Sequence, residues 1–164
     1  MPKKRHQPKG LEILYEDKDI LVVDKPAGLL TVGTANNKTN TAYYKLTDYV
    51  RKGNSKSRNR IFIVHRLDQS TSGVLVFAKN EEAKFRLQSQ WKDTEKKYVA
   101  VVYGQLVPKE GTITSYLSEN KAYVVYSTTD ATKGKLAHTA YKVLRETGEF
   151  SLLEINLLTG RKNQ

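Results

Sequence analysis

Short apolar runs alternate with polar turns along most of the chain, and two stretches carry apolar residues at helical spacing instead. Leu11–Tyr15 and Ile20–Asp24 read as strands joined by the polar turn Glu16-Asp17-Lys18-Asp19. Lys25-Pro26-Ala27-Gly28 then breaks the second strand, because Pro has no N–H to donate and Gly accepts unusual dihedrals. Ala42, Leu46, Tyr49 and Val50 predict a helix over Ala42–Arg51, with Asn40 and Thr41 as candidate caps. Ile61–Val64 and Val74–Ala78 are strand-like. Asn80 followed by Glu81 and Glu82 starts a second helix with an acidic first turn, and Ala83, Leu87 and Trp91 mark its core-facing stripe. Lys97–Tyr103, Ala137–Leu144 and Phe150–Leu158 add further strands. The pattern predicts an α+β domain with a mixed, mostly antiparallel sheet and flanking helices. It gives a flexible basic tail over residues 1–10 and one domain over 11–164, with no internal repeat and no clean boundary.

Charge changes this picture first. The 164 residues include 28 Lys and Arg against 17 Asp and Glu, a net +11 that points to a polyanionic partner. The segment Lys52–Arg60 concentrates Lys52, Lys56, Arg58 and Arg60 among Ser, Asn and Gly, and reads as a flexible loop suited to phosphate contact. The absence of cysteine excludes disulfides, thiolate metal sites and Cys nucleophiles. His6, His65 and His138 lack the short spacings of a zinc site, so no metal is expected. No apolar run approaches the roughly 18 residues of a membrane span, and the basic start lacks a secretory apolar stretch. The expectation is a soluble, cytoplasmic monomer.

Residues 65–79, HRLDQSTSGVLVFAK, place a polar loop between two strands. The loop sets Asp68 beside Arg66 and ahead of Thr71-Ser72-Gly73. Loops held by rigid strands are common sites of chemistry. By local physics alone, however, an Asp among Ser, Thr and Gly is more often a turn former than a nucleophile. A serine hydrolase is a poorer reading, since no Gly-x-Ser-x-Gly elbow surrounds Ser70 or Ser72.

The same string resembles the H-R-L-D-x-x-T-S-G signature of RluA-type RNA pseudouridine synthases at every fixed position. ILYEDKDILVVDKPAGLL from Ile13 resembles the family's opening hairpin and Lys-Pro-Ala-Gly turn, and KKYVAVVYG from Lys96 its tyrosine-bearing strand. LLTGRKNQ at the end resembles the start of the family's arginine motif. The four matches occur in the family's order.

The resemblance implies isomerisation of uridine to pseudouridine within ribosomal or transfer RNA, with neither metal nor organic cofactor. It makes Asp68 the nucleophile, Tyr98 the residue that stacks on the uracil, and Arg161 the counter-charge that keeps the carboxylate ionised. Arg66 is expected to fill the space left by an extruded base or to hold the adjacent phosphate. Lys25 is a further candidate to grip the RNA backbone, while His65 reads as a structural histidine. Two departures bear on this reading. The family's arginine motif continues Gly-Arg-Thr-His-Gln, where this chain has Gly160-Arg161-Lys162-Asn163-Gln164. The chain also stops inside that motif, so it is expected to be truncated, with Arg161 at a fraying end. Rival readings are a catalytically incompetent RNA-binding module of the same fold and a glycoside hydrolase, but no second carboxylate has a claim to the site.

Overall fold

The computed structural model describes residues 7–164, and the chain divides into two compact units, Met1–Trp91 and Lys92–Gln164. Most of the basic tail, including His6, lies outside the described residues. From Gln7 the chain is tied down: the Gln7 side chain accepts from Ile13 N–H at 2.9 Å, and Lys45 Nζ donates to the Lys9 carbonyl at 3.1 Å.

The first unit is built on a four-stranded antiparallel sheet in the order β1-β2-β4-β3, with β1 Glu12–Glu16, β2 Ile20–Lys25, β3 Phe62–Ile63 and β4 Gly73–Ala78. The β1–β2 turn is closed by Asp17, whose carboxylate accepts from the N–H groups of Asp19 and Ile20, both at 2.7 Å. Those backbone donors, Ile20 first, hold the Asp17 carboxyl below its usual range.

Alternation along β2 and β4 builds the core. Leu21 and Val23 on β2 lie opposite Phe77 and Leu75 on β4, and all four are fully buried. The helix α1, Ala42–Arg51, contributes buried Ala42 and Leu46. Its N-cap is Thr41, whose hydroxyl accepts from Tyr44 N–H at 3.1 Å.

The period of two then carries β2 one step further. Lys25 follows Leu21 and Val23 on the same face and has no solvent exposure. Its partner on β4 is Gly73, at φ +124°, a conformation that L side chains rarely adopt.

The helix α2, Glu81–Gln90, starts at Asn80, whose side chain accepts from Ala83 N–H at 2.7 Å. It lies against β3 and β4 with no fully buried residue. Ala83, Leu87 and Trp91 are therefore half-buried, not the core stripe that their spacing predicts. The Lys52–Arg60 segment is a loop, as its composition predicts, and several of its turns are closed by side chains. Asn54 accepts from Lys56 N–H at 3.0 Å, Asn59 Nδ2 donates to the Val50 carbonyl at 3.3 Å, and Arg60 pairs with Glu81 at 3.1 Å. The same Ser and Asn residues that signal a loop also supply its bonds.

The second unit is a five-stranded antiparallel sheet in the order β5-β9-β8-β6-β7. Its strands are β5 Lys97–Tyr103, β6 Glu110–Glu119, β7 Val125–Thr128, β8 Lys135–Glu146 and β9 Phe150–Leu157. Ala137 on β8 and Leu153 on β9 are its buried apolar residues. The hairpin β6–β7 is absent from the sequence expectation because its alternation is carried by Thr and Ser as much as by apolar residues. Its turn is fixed by Asn120, whose side chain accepts from Ala122 and Val124 N–H at 2.9 and 3.0 Å.

The alternation on β4 makes a direct stability test. Phe77→Ala empties a buried site and is expected to cost about 3–5 kcal/mol. Val74→Ala, on the same strand at a position 58% exposed, should change stability by less than about 0.5 kcal/mol. Urea unfolding measures both, and equal losses would mean that the strand's faces are misassigned.

Candidate active site

Between β3 and β4 the chain runs irregularly from Val64 to Ser72, with Val64 and Leu67 buried and Asp68 exposed. What holds this loop comes from the turn after β2. Thr31 Oγ1 donates to the Leu67 carbonyl at 2.6 Å and accepts from Leu67 N–H at 3.2 Å. Gly28 N–H donates to the Gln69 carbonyl at 2.8 Å, and the Gln69 side chain returns a bond to the Gly28 carbonyl at 3.0 Å. Gly28 sits at φ +87°, where a side chain would be strained. Thr71 N–H closes the loop onto the Asp68 carbonyl at 3.1 Å. The residues on both sides of Asp68 are thus fixed while its own side chain faces solvent.

Lys25 belongs to the same structure. Its Nζ donates to the carbonyls of Leu29 at 2.7 Å, Pro26 at 3.0 Å and Gln69 at 3.3 Å. Three acceptors need three N–H donors, which only the ammonium form has. Burial lowers the Lys25 pKa, and the nearby charge of Asp68 opposes that shift. The expectation that Lys25 grips RNA is therefore corrected: a buried ammonium with all its donors engaged cannot reach a phosphate.

His65 has turned inward. Its ring stacks on Trp91 with centroids 4.2 Å apart, and its Nε2 accepts from Val76 N–H at 3.1 Å. Burial pushes its pKa down to about 4, against a smaller opposing effect of a backbone hydrogen bond at Arg66. The imidazole is neutral, with its proton on Nδ1, and it ties the start of the loop to β4. Arg66, next along, is exposed.

Tyr98 and Arg161 belong to the second unit. Tyr98 is half-buried on β5, opposite Ile155 of β9 and on one face with Ala100 and Val102. Arg161 is exposed, and its Nε donates to the Leu136 carbonyl at 2.8 Å. The turn that carries it is hydrogen-bonded through the Gln164 side chain. The Gln164 amide accepts from Arg161 N–H at 3.0 Å and from the Thr159 hydroxyl at 2.9 Å. It also donates to the His138 carbonyl at 3.0 Å and to Thr139 Oγ1 at 2.9 Å. Asn163 adopts a left-handed φ of +55°, which Asn tolerates better than most residues, and Lys162 pairs with Glu119.

Among the described residues no group of His, Asp or Glu side chains is arranged to hold a metal, and no helix is long and apolar enough to cross a membrane. The features that sequence reasoning missed are Thr31 and the inward course of Lys25. Lys25 was legible in principle, since it continues the Leu21–Val23 alternation. Thr31, a single hydroxyl in a loop, carries no such signal.

The sequence profile of the family described as RNA pseudouridylate synthase matches residues 19–164. The chain belongs to this family. Within it, the RluA-type motifs agree with relatives named ribosomal large subunit pseudouridine synthases C and D. The D enzyme of Borreliella burgdorferi is 35% identical over 159 residues, covering 94% of this chain and 49% of its own length. The C enzyme of Rickettsia bellii is 34% identical, covering 93% and 50%. An uncharacterized RNA pseudouridine synthase of Mycoplasma genitalium is 36% identical over 157 residues, covering 94% and 49%. The chain thus spans about half the length of the curated relatives it matches. The solved structure of human RNA pseudouridylate synthase domain containing 4 shares its fold, with a TM-score of 0.77 at 24% identity over 93% of this chain and 61% of the human one.

The half-buried imidazole has a measurable consequence. The folded chain leaves His65 unprotonated down to about pH 4, whereas an unfolded histidine protonates near 6.5. Its contribution is therefore fully present above pH 6.5 and is lost as pH falls towards 4, on the order of 3 kcal/mol in all. His65→Gln should flatten the stability profile over that window in urea unfolding. Parallel profiles for the two proteins would contradict the assignment.

Proposed function

We propose that the protein isomerises uridines in RNA to pseudouridine, with Asp68 as the nucleophile. The observation that carries this reading is the placement of Asp68 within a family member: an exposed carboxylate on a loop whose two flanking residues are both pinned. Pre-organisation of this kind is what a reacting group needs, since little rearrangement then remains to be done at the moment of reaction.

In the proposed reaction the bond between uracil N1 and ribose C1′ breaks, the uracil turns, and its C5 bonds to C1′. The proton on C5 leaves and N1 gains one, so no redox partner is involved. Asp68 assists departure of the base, by attack on the sugar or by promoting a glycal. A stacked base is out of reach, so the nucleotide is extruded. Arg66, exposed two residues before Asp68, fills the gap or holds the neighbouring phosphate. Tyr98 stacks on the uracil and Arg161 supplies the counter-charge. Ribosomal RNA is the first substrate to test, because two of the relatives carry that substrate in their names.

RNA tritiated at uridine C5 tests the reading. Release of tritium without free uracil is expected from the wild-type protein; free uracil indicates a hydrolase, and neither product a binding module. Asp68→Asn should abolish release while leaving RNA affinity nearly unchanged, because affinity comes mainly from phosphate contacts elsewhere. Retention of a tenth of the wild-type rate, about 1.4 kcal/mol in barrier, would exclude Asp68 as nucleophile.

The basic loop gives a separate test. Lys52, Lys56 and Arg58 are basic side chains of this loop, whereas Arg60 is engaged by Glu81 and lies over the Phe62 ring. Replacing the first three by Gln should flatten the log–log dependence of RNA binding on salt by roughly 0.7 for each phosphate no longer neutralised, and leave the chemical step alone. An unaltered slope would remove this loop from the RNA footprint.

A further inference from the structure

We propose that Thr31 is a positioning residue for Asp68, a role that rests on the reading of Asp68 as the reacting carboxylate. Leu67 is buried, lies outside any strand, and so has no ladder partner for its backbone. Buried backbone groups left unpaired are costly, and here one hydroxyl satisfies both of them. Thr31 Oγ1 gives its proton to the Leu67 carbonyl and a lone pair to the Leu67 N–H. This reproduces with a side chain the two-bond exchange that a neighbouring strand would make.

The geometry fixes more than Leu67. Two bonds to one residue's backbone restrain its φ and ψ together, and ψ of Leu67 sets the direction in which Asp68 leaves the loop. On the other side, the Gln69 carbonyl is held by Gly28 N–H and by Lys25 Nζ. Thr31 is itself anchored, being 2% exposed and with its carbonyl accepting from Tyr43 N–H of α1 at 3.1 Å. The path therefore runs from the start of α1, through Thr31, to the peptide that precedes Asp68. A shift of about 1 Å in a reacting group costs on the order of a hundredfold in rate, so a residue that never touches substrate can still govern turnover.

Two variants of the intact protein separate positioning from packing. Thr31→Val keeps the shape and removes both bonds; Thr31→Ser keeps the hydroxyl. Backbone hydrogen exchange, followed by NMR, should show the Leu67 amide at least about tenfold faster in the Val variant, with the core amides of Val23 and Phe77 unchanged. The single-turnover rate on RNA should fall about tenfold to a hundredfold at unchanged RNA affinity. The Ser variant should match the wild type in both. The proposal is overturned by wild-type exchange at Leu67 in the Val variant, by a rate within about twofold of wild type, or by equal losses in Ser and Val. It is also overturned by a Val variant that fails to fold or loses protection throughout the core, since the hydroxyl would then serve stability and not position. Exchange needs no turnover, so an inactive wild type counts against the functional reading, and the exchange result still decides the role of Thr31.

Discussion

The first unit is organised around a buried cation, Lys25. Stripping an ammonium of water costs several kcal/mol, far more than one neutral hydrogen bond returns. Lys25 is tolerable inside only because three carbonyls and the charge of Asp68 together replace its hydration. Those carbonyls belong to the turn after β2 and to the residue after Asp68, so satisfying the ammonium and closing the site are one event. The turn cannot open without stranding a charge, and the loop cannot drift without losing an acceptor. Gly73 lets β4 begin opposite this lysine, and Gly28 lets the turn bring its N–H to the same carbonyl.

Much of this architecture is legible in the chain. Ala42–Arg51 is readable because four apolar residues at helical spacing follow a Thr that caps them. Lys97–Tyr103 is readable because its alternation is clean, with exposed and half-buried positions in strict turn. The Asp68 loop is visible as a polar interruption between two apolar strands. The missed elements share a physical cause. On β6, Thr112, Thr114, Ser115 and Ser118 are mixed with only Ile113, Tyr116 and Leu117 as large apolar residues, and these fall on both faces, so hydrophobicity has no period to show. The α2 stripe misleads for the opposite reason: its spacing is helical, but the face rests on the rim of a small sheet and never enters a core.

The site residues divide in the same way. A motif names Asp68, Arg66, Tyr98 and Arg161, but it does not say what holds them, because holding is done by backbone carbonyls and amides that every residue has. Lys25 looks like a surface cation until its place in the β2 alternation is followed to the end. Gln164 looks like the last polar residue of a chain, yet its amide uses both ends to bind four partners around the turn that bears Arg161. Two of those bonds, to the His138 carbonyl and to Thr139 Oγ1, tie the turn to β8.

The inward turn of His65 bears on how the site responds to its surroundings. Histidine is the residue by which a loop ordinarily becomes sensitive to acidity in the physiological range. Here the ring is packed against Trp91, gives its Nε2 lone pair to β4, and stays uncharged until about pH 4. The loop that presents Asp68 therefore gains no positive charge from its imidazole when a cell acidifies, and the electrostatic field that a polyanion meets there keeps the same contribution from this residue. The histidine has been converted from a sensor into a fixed spacer between a loop and a strand.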